Sequence, residues 1–129
     1  MTVLRLVLVF ITLVALPQAS RSEVDSLAGS WTGGGVVVYA TGSRERAKCR
    51  AFYRPRSDAS VMLVATCATP SGSVTQTAQL RKSGAHSYAG TFFNSQYSLS
   101  GSIRVIVTGT SQVVRLISSS GSALFTLAR

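Results

Sequence analysis

From Arg44 to Tyr53 the chain alternates residue by residue, with Arg44, Arg46, Lys48, Arg50 and Phe52 at even positions and Glu45, Ala47, Cys49, Ala51 and Tyr53 at odd ones. Successive side chains of a β-strand point to opposite faces, so this period of two separates the sets onto opposite sides of a sheet. The odd set is small, apolar or aromatic apart from Glu45, as a core-facing surface requires. The even set carries a row of four cations, spaced ~6.5–7 Å apart along one face. A strand with one wet cationic face and one apolar face needs a sheet around it. The rest of the chain has to supply that sheet.

It does so in short pieces. No segment beyond the N-terminal apolar run keeps a period of 3.6, while Val, Thr, Ser, Tyr and Phe recur between glycine-containing turns. A first strand is expected at Ser30–Tyr39, closed by a turn at Ala40–Ser43. Three glycines in it, Gly33 to Gly35, predict a bend, a bulge or close approach by another backbone. They lack the following helix and lysine of a phosphate loop. A third strand at Ser60–Ala68 puts Val61, Leu63, Ala65 and Cys67 on one face. Cys49 and Cys67 then both point inward from neighbouring antiparallel strands, which predicts a disulfide closing a loop of about 19 residues. Further strands are expected at Val74–Leu80, Ser87–Phe93, Gln96–Val107 (bending or splitting at Gly101), Gln112–Ser118 and Ala123–Ala128. Asn94-Ser95 is expected to connect the fifth strand to the sixth. The fold class is all-β, an antiparallel up-and-down meander of about seven to nine strands with one disulfide. Closing into a small barrel would remove exposed edges, and a β-sandwich is the competing architecture.

The N-terminus has a different character. A short positive start, a nearly unbroken apolar run from Val3 to Leu16 and a polar stretch containing Pro17 follow the order of a secretory signal peptide. Residues 1–22 are assigned to it, with cleavage after Ser22, and residues 23–129 to a single β-barrel-like domain. The expected location is periplasmic or secreted, where a disulfide persists. No transmembrane span is expected after cleavage. The 107 residues of the domain keep eleven cationic and four acidic side chains, a formal charge of +7. A field of that sign favours anionic partners.

Catalytic chemistry is poorly provided for. The acids are Glu23, Asp25, Glu45 and Asp58, and the sole imidazole is His86. Glu45 stands between Arg44 and Arg46, which predicts a lowered pKa unsuited to general-base work. The serines lack a nucleophile-elbow context, and the cysteines are accounted for by the disulfide. No enzymatic role, cofactor or metal site is expected. Two binding surfaces compete. The row Arg44, Arg46, Lys48 and Arg50, extended by Arg54 and Arg56, suits an anionic envelope component such as a lipid head group, lipopolysaccharide or a cell-wall polymer. Alternatively, a barrel interior lined by Trp31, Tyr39 and Tyr53, with Phe52, Phe92 and Phe93 as further aromatics, suits a small apolar ligand. A structural or partner-binding module is the third reading. Nucleic acid is not an expected partner for an exported chain.

Gly29-Ser30-Trp31 at the head of the first strand resembles the G-x-W signature of lipocalin and avidin-like barrels, which implies a barrel with a ligand-holding interior. Over most of the domain, the run GSWTGGGVV, then GSRERAKCRAFY, then Thr66-Cys67-Ala68 is similar to a family of small exported alphaproteobacterial β-proteins. That family shows G-x-W-x-G-x-G, E-R-x-x-C-R-A-x-Y and a Cys-Ala pair. The later AGTFF and SLSGSI segments occupy the places of its G-x-W and S-G-x-hydrophobic strands, with Phe in AGTFF where the family has Trp. The resemblance implies an exported β-fold and brings no activity or site residues with it.

Overall fold

A computed structural model of the protein describes residues 11–16 and 27–129. Residues 11–16 are exposed and carry no regular structure. The rest of the expected targeting segment, its cleavage position at Ser22, and the acids Glu23 and Asp25 lie outside the described residues.

From Gly29 onward the alternation becomes eight strands: β1 (Gly29–Tyr39), β2 (Arg44–Pro55), β3 (Val61–Thr69), β4 (Gly72–Lys82), β5 (Ser87–Asn94), β6 (Leu99–Thr108), β7 (Ser111–Ser118) and β8 (Gly121–Ala128). Each pairs antiparallel with its sequence neighbour, and β1 pairs with β8, so the sheet closes on itself. The architecture is the barrel and not the sandwich. Cys49 and Cys67 are direct partners across β2 and β3, with Cα atoms 4.1 Å apart, and they form the disulfide.

Two expectations shift in detail. The sixth strand begins at Leu99 and not Gln96, because Asn94 turns the chain with its side chain. Its Oδ1 accepts hydrogen bonds from the backbone N–H groups of Gln96 and Tyr97 at 2.9 and 3.3 Å. Ser98 completes this turn at a positive φ of 50°. The fourth strand is longer than expected at both ends, because Gly72 and Ser73 pair with Thr69 and Ala68 on β3, and Arg81 and Lys82 pair with Ala89 and Tyr88 on β5.

The glycines of β1 are explained by close backbone approach. Gly33 and Gly35 face inward and pair with β2 on one side and β8 on the other. A Cβ on Gly33 would lie 2.1 Å from the carbonyl oxygen of Thr126, and one on Gly35 would lie 1.9 Å from that of Leu124. Neither distance is tolerable, so the strand coils here only because no side chain is present.

Up-and-down order sorts the connections onto two ends. The β1–β2, β3–β4, β5–β6 and β7–β8 hairpins form one end, and the three remaining loops, with Leu27, Ala28 and Arg129, form the other. The second end is packed shut. Trp31, Tyr53, Tyr88, Leu27, Leu80, Val61 and Val105 are fully buried there. Trp31 donates from Nε1 to the carbonyl of Leu27 at 3.0 Å, and Arg129 stacks over its ring at 4.5 Å while donating to the carbonyl of Ala28. Tyr53 Oη donates to Gln112 Oε1 at 2.5 Å, and burial pushes its phenol well above the ordinary range.

Among the described residues no helix is long and apolar enough to cross a membrane. Exposed Arg44, Arg46, Lys48, Arg50, Arg104 and Arg115 stand along the outer wall. That wall is unlike the continuous apolar belt of a membrane-spanning barrel.

Candidate functional site

An eight-stranded barrel is just wide enough for ordinary side chains to fill. This one does not receive enough of them in its upper half. Between the packed end and the rim, the inward positions of β1 to β3 are Gly33, Gly35, Ala47, Cys49, Ala51, Ala65 and Cys67, all small. What the large residues do at the closed end, these do not do at the other. A cup of about 850 Å³ remains, opening between the four hairpins. Its size is within the ~300–1,000 Å³ typical of small-molecule sites.

The cup is apolar below and polar above. Phe92, Leu116, Phe125, Gln76 and Cys67 form the floor, and Val37, Val74, Leu99 and Ala123 stand around it. Beneath the floor only a void of about 30 Å³ separates it from the packed end. The rim carries Tyr39, Glu45, Ser71, Thr69, Asn94, Tyr97 and the serines of the β7–β8 hairpin. Among the described residues Glu45 is the only charged side chain lining the cup. Its carboxylate accepts from Tyr39 Oη at 3.3 Å and from Ser71 Oγ. The Ser71 hydroxyl, with that of Thr69, holds Glu45 below the usual carboxylate range. The adjacent arginines, expected to do this, do not, because Arg44 and Arg46 leave the strand on its opposite face. Burial and the Glu45 carboxylate raise the Tyr39 phenol in turn, so it stays protonated and donating.

Of the three aromatics expected to line an interior ligand site, Tyr39 alone lines the cup. Trp31 and Tyr53 are inward-facing but sit at the packed end, where they seal the barrel. Phe92 lies in the floor, whereas Phe52 and Phe93 are outward-facing and about half exposed. Sequence reasoning did not single out Val37, Gln76, Leu116 or Phe125. Their signal was inward register in strands already recognised.

The expected cationic row is intact on the outside of β2. Arg44, Arg46, Lys48, Arg50 and Arg54 are all exposed on one face, and Arg56 follows in the loop. On β1 they are flanked by Val38, Val36, Gly34 and Thr32, and Lys48 and Arg50 face Ala68 and Thr66 on β3, so nothing acidic stands beside them. Around the barrel, Arg104 and Arg115 are direct partners across β6 and β7. No outward position of any described strand carries an acid. Below the row, Phe52, Val64, Thr77 and Phe93 are successive partners across four strands, forming an apolar band beside Arg50 and Arg54. Arg54 lies over the Phe52 ring at 6.0 Å.

The remaining titratable groups are not brought together. Glu45 is at the open rim, while Asp58 and His86 are on exposed loops at the closed end. Asp58 accepts from the Ser60 hydroxyl and backbone N–H, which lower its pKa, and meets Arg81 at 3.6 Å. Among the described residues no three His, Cys, Asp or Glu side chains cluster as metal ligands would.

No protein-family model matches the chain, and no curated protein matches it. Solved structures do. A redesigned β-barrel, mFAP1 bound to DFHBI, superposes with a TM-score of 0.70 at 15% identity, covering 84% of this chain and all of that one. A de novo designed fluorescence-activating β-barrel gives 0.64 at 13% identity, covering 85% of this chain and 99% of its own. EF1p2_mFAP2b bound to DFHBI gives 0.65 at 13% identity, again covering 85% and 99%. At such identities the likeness shows the fold: an eight-stranded antiparallel barrel, here with one disulfide.

Proposed function

We propose that this protein is a non-enzymatic carrier or sensor of a small, largely apolar molecule, held in the cup at the open end of the barrel. The observation that carries the reading is the cup itself: about 850 Å³ of space above a packed floor, apolar below and hydroxyl-rich at the rim. Pockets that hold small molecules have that composition. Two of the similar barrels are bound to DFHBI, a small molecule, which supports a ligand role for this architecture. The expected address is the periplasm or the cell exterior, in keeping with the disulfide and with the resemblance to small exported β-proteins.

The test is a titration with the uncharged dye N-phenyl-1-naphthylamine. The dye is expected to brighten on binding with one site per chain. Ala123→Trp, which fills the cup between Val37 and Leu116, is expected to weaken it at least about tenfold, equivalent to ~1.4 kcal/mol. A dye that does not bind, or binds the Ala123→Trp protein equally well, contradicts the proposal.

A second reading rests on the acid-free outer wall: docking of the Arg44–Arg54 row onto an anionic envelope component. The neighbouring Phe52–Val64–Phe93 band gives it an apolar edge to press into such a surface. A cation near an anionic membrane contributes ~1 kcal/mol. Arg46→Gln with Arg50→Gln is therefore expected to weaken retention on phosphatidylglycerol vesicles about 30-fold, and retention should fall steeply with salt. Retention that ignores both changes excludes this reading, and dye binding in the cup does not depend on it.

A further inference from the structure

The charges of this barrel are segregated. Every strand cation on the outer wall points away from the interior, and among the described residues no Lys or Arg lines the cup. Yet the cup holds one carboxylate, Glu45, on an inward position of the most cationic strand in the chain. Among the described residues no cation pairs with Glu45. Its hydrogen bonds come from neutral hydroxyls, those of Tyr39 and Ser71. These orient the carboxylate without neutralising it. At the open, hydroxyl-rich rim these bonds favour the ionised form, so a fixed negative charge stands at the mouth of an apolar cavity. Tyr39 and Tyr97, both lining the mouth, add ring faces of the kind that attract organic cations.

We infer that the cup selects an amphipathic organic cation, with an apolar or aromatic body on the Phe92–Leu116–Phe125 floor and an ammonium group at Glu45 and Tyr39. This rests on the cup being a ligand site and adds the head-group chemistry. The outer arginines do not oppose it at close range. They diverge from the same strand on its other face, and beyond about 8 Å their field is largely screened at physiological salt.

A matched series tests it: 1-naphthylmethylamine, 1-naphthalenemethanol and 1-naphthoate, which share a body and differ in head charge. Each is titrated by calorimetry and by displacement of N-phenyl-1-naphthylamine, which confines the readout to the cup. The amine is expected to bind at least about fivefold more tightly than the alcohol, and the carboxylate more weakly than either. In Glu45→Gln the amine and the alcohol should fall within about twofold of each other. Equal binding of amine and alcohol by the native protein, or tightest binding by the carboxylate, overturns the head-group assignment while leaving the cup standing. If none of the three displaces a bound dye, the head-group assignment fails alone; if the dye itself does not bind, the cup reading fails with it. Because the native protein alone decides the order of the series, a Glu45→Gln protein that did not fold would leave the test intact.

Discussion

Trp31→Ala is expected to destabilise the protein by about 3–5 kcal/mol, the usual loss for an aromatic side chain removed from a packed core. Trp31 is fully buried at the closed end of the barrel. It is also the point where three elements meet: its indole N–H bonds the Leu27 carbonyl, and Arg129 covers its ring and reaches the Ala28 carbonyl. Removing it opens the sealed end of the barrel and takes from both flanking segments the indole they are held against. Trp31→Phe separates these contributions, since it keeps most of the ring and loses the hydrogen bond. It should cost about 1–2 kcal/mol. Trp31 is the sole tryptophan, so unfolding in urea has to be followed by circular dichroism and not by indole fluorescence. A loss below about 1 kcal/mol for Trp31→Ala would show that the closed end does not hold the fold together.

Loss of the disulfide is expected to have an effect of similar size. The bond joins direct partners on β2 and β3 across a sequence separation of 18, for which loop-closure entropy gives ~3 kcal/mol. For a domain of this length that corresponds to a fall of about 10–20 °C in Tm. Cys49→Ala with Cys67→Ala is the appropriate variant, because β1 to β3 already place small residues in that layer and alanine introduces no clash. Cys67 also contributes to the cup floor, so the same variant should bind the neutral dye less tightly. A Tm unchanged in the double variant would contradict the stabilising role.

Much of this architecture was legible in the sequence because one physical rule, the two-residue alternation of a strand, was obeyed without interruption. The alternation of Arg44–Tyr53 assigned both faces of β2, and the same test on β3 put the two cysteines opposite one another. Where polar residues took over both composition and turn chemistry the reading slipped, as at Asn94, whose side chain makes a turn that its strand-like neighbours conceal. The cup was harder to see. Its cause is a shortage of volume: Gly33, Gly35, Ala47, Ala51 and Ala65 form an acceptable core face one strand at a time, and only closure into a barrel reveals that together they cannot fill it. The aromatics misled for the complementary reason. Trp31 and Tyr53 have the right chemistry and the right face for a ligand site, but height along the strand decides the outcome, and both lie at the sealed end. Glu45 was read against its sequence neighbours, whereas its environment is set by Ser71 and Thr69 from the facing hairpin.

The most direct test of the central claim is a heteronuclear NMR map of the native protein titrated with N-phenyl-1-naphthylamine. Shift changes are expected to concentrate at Val37, Leu99, Leu116, Ala123 and Phe125, with Arg46, Lys48 and Arg50 unmoved. Changes along the outer face of β2, or at the closed end around Trp31, with the cup silent, would contradict that claim.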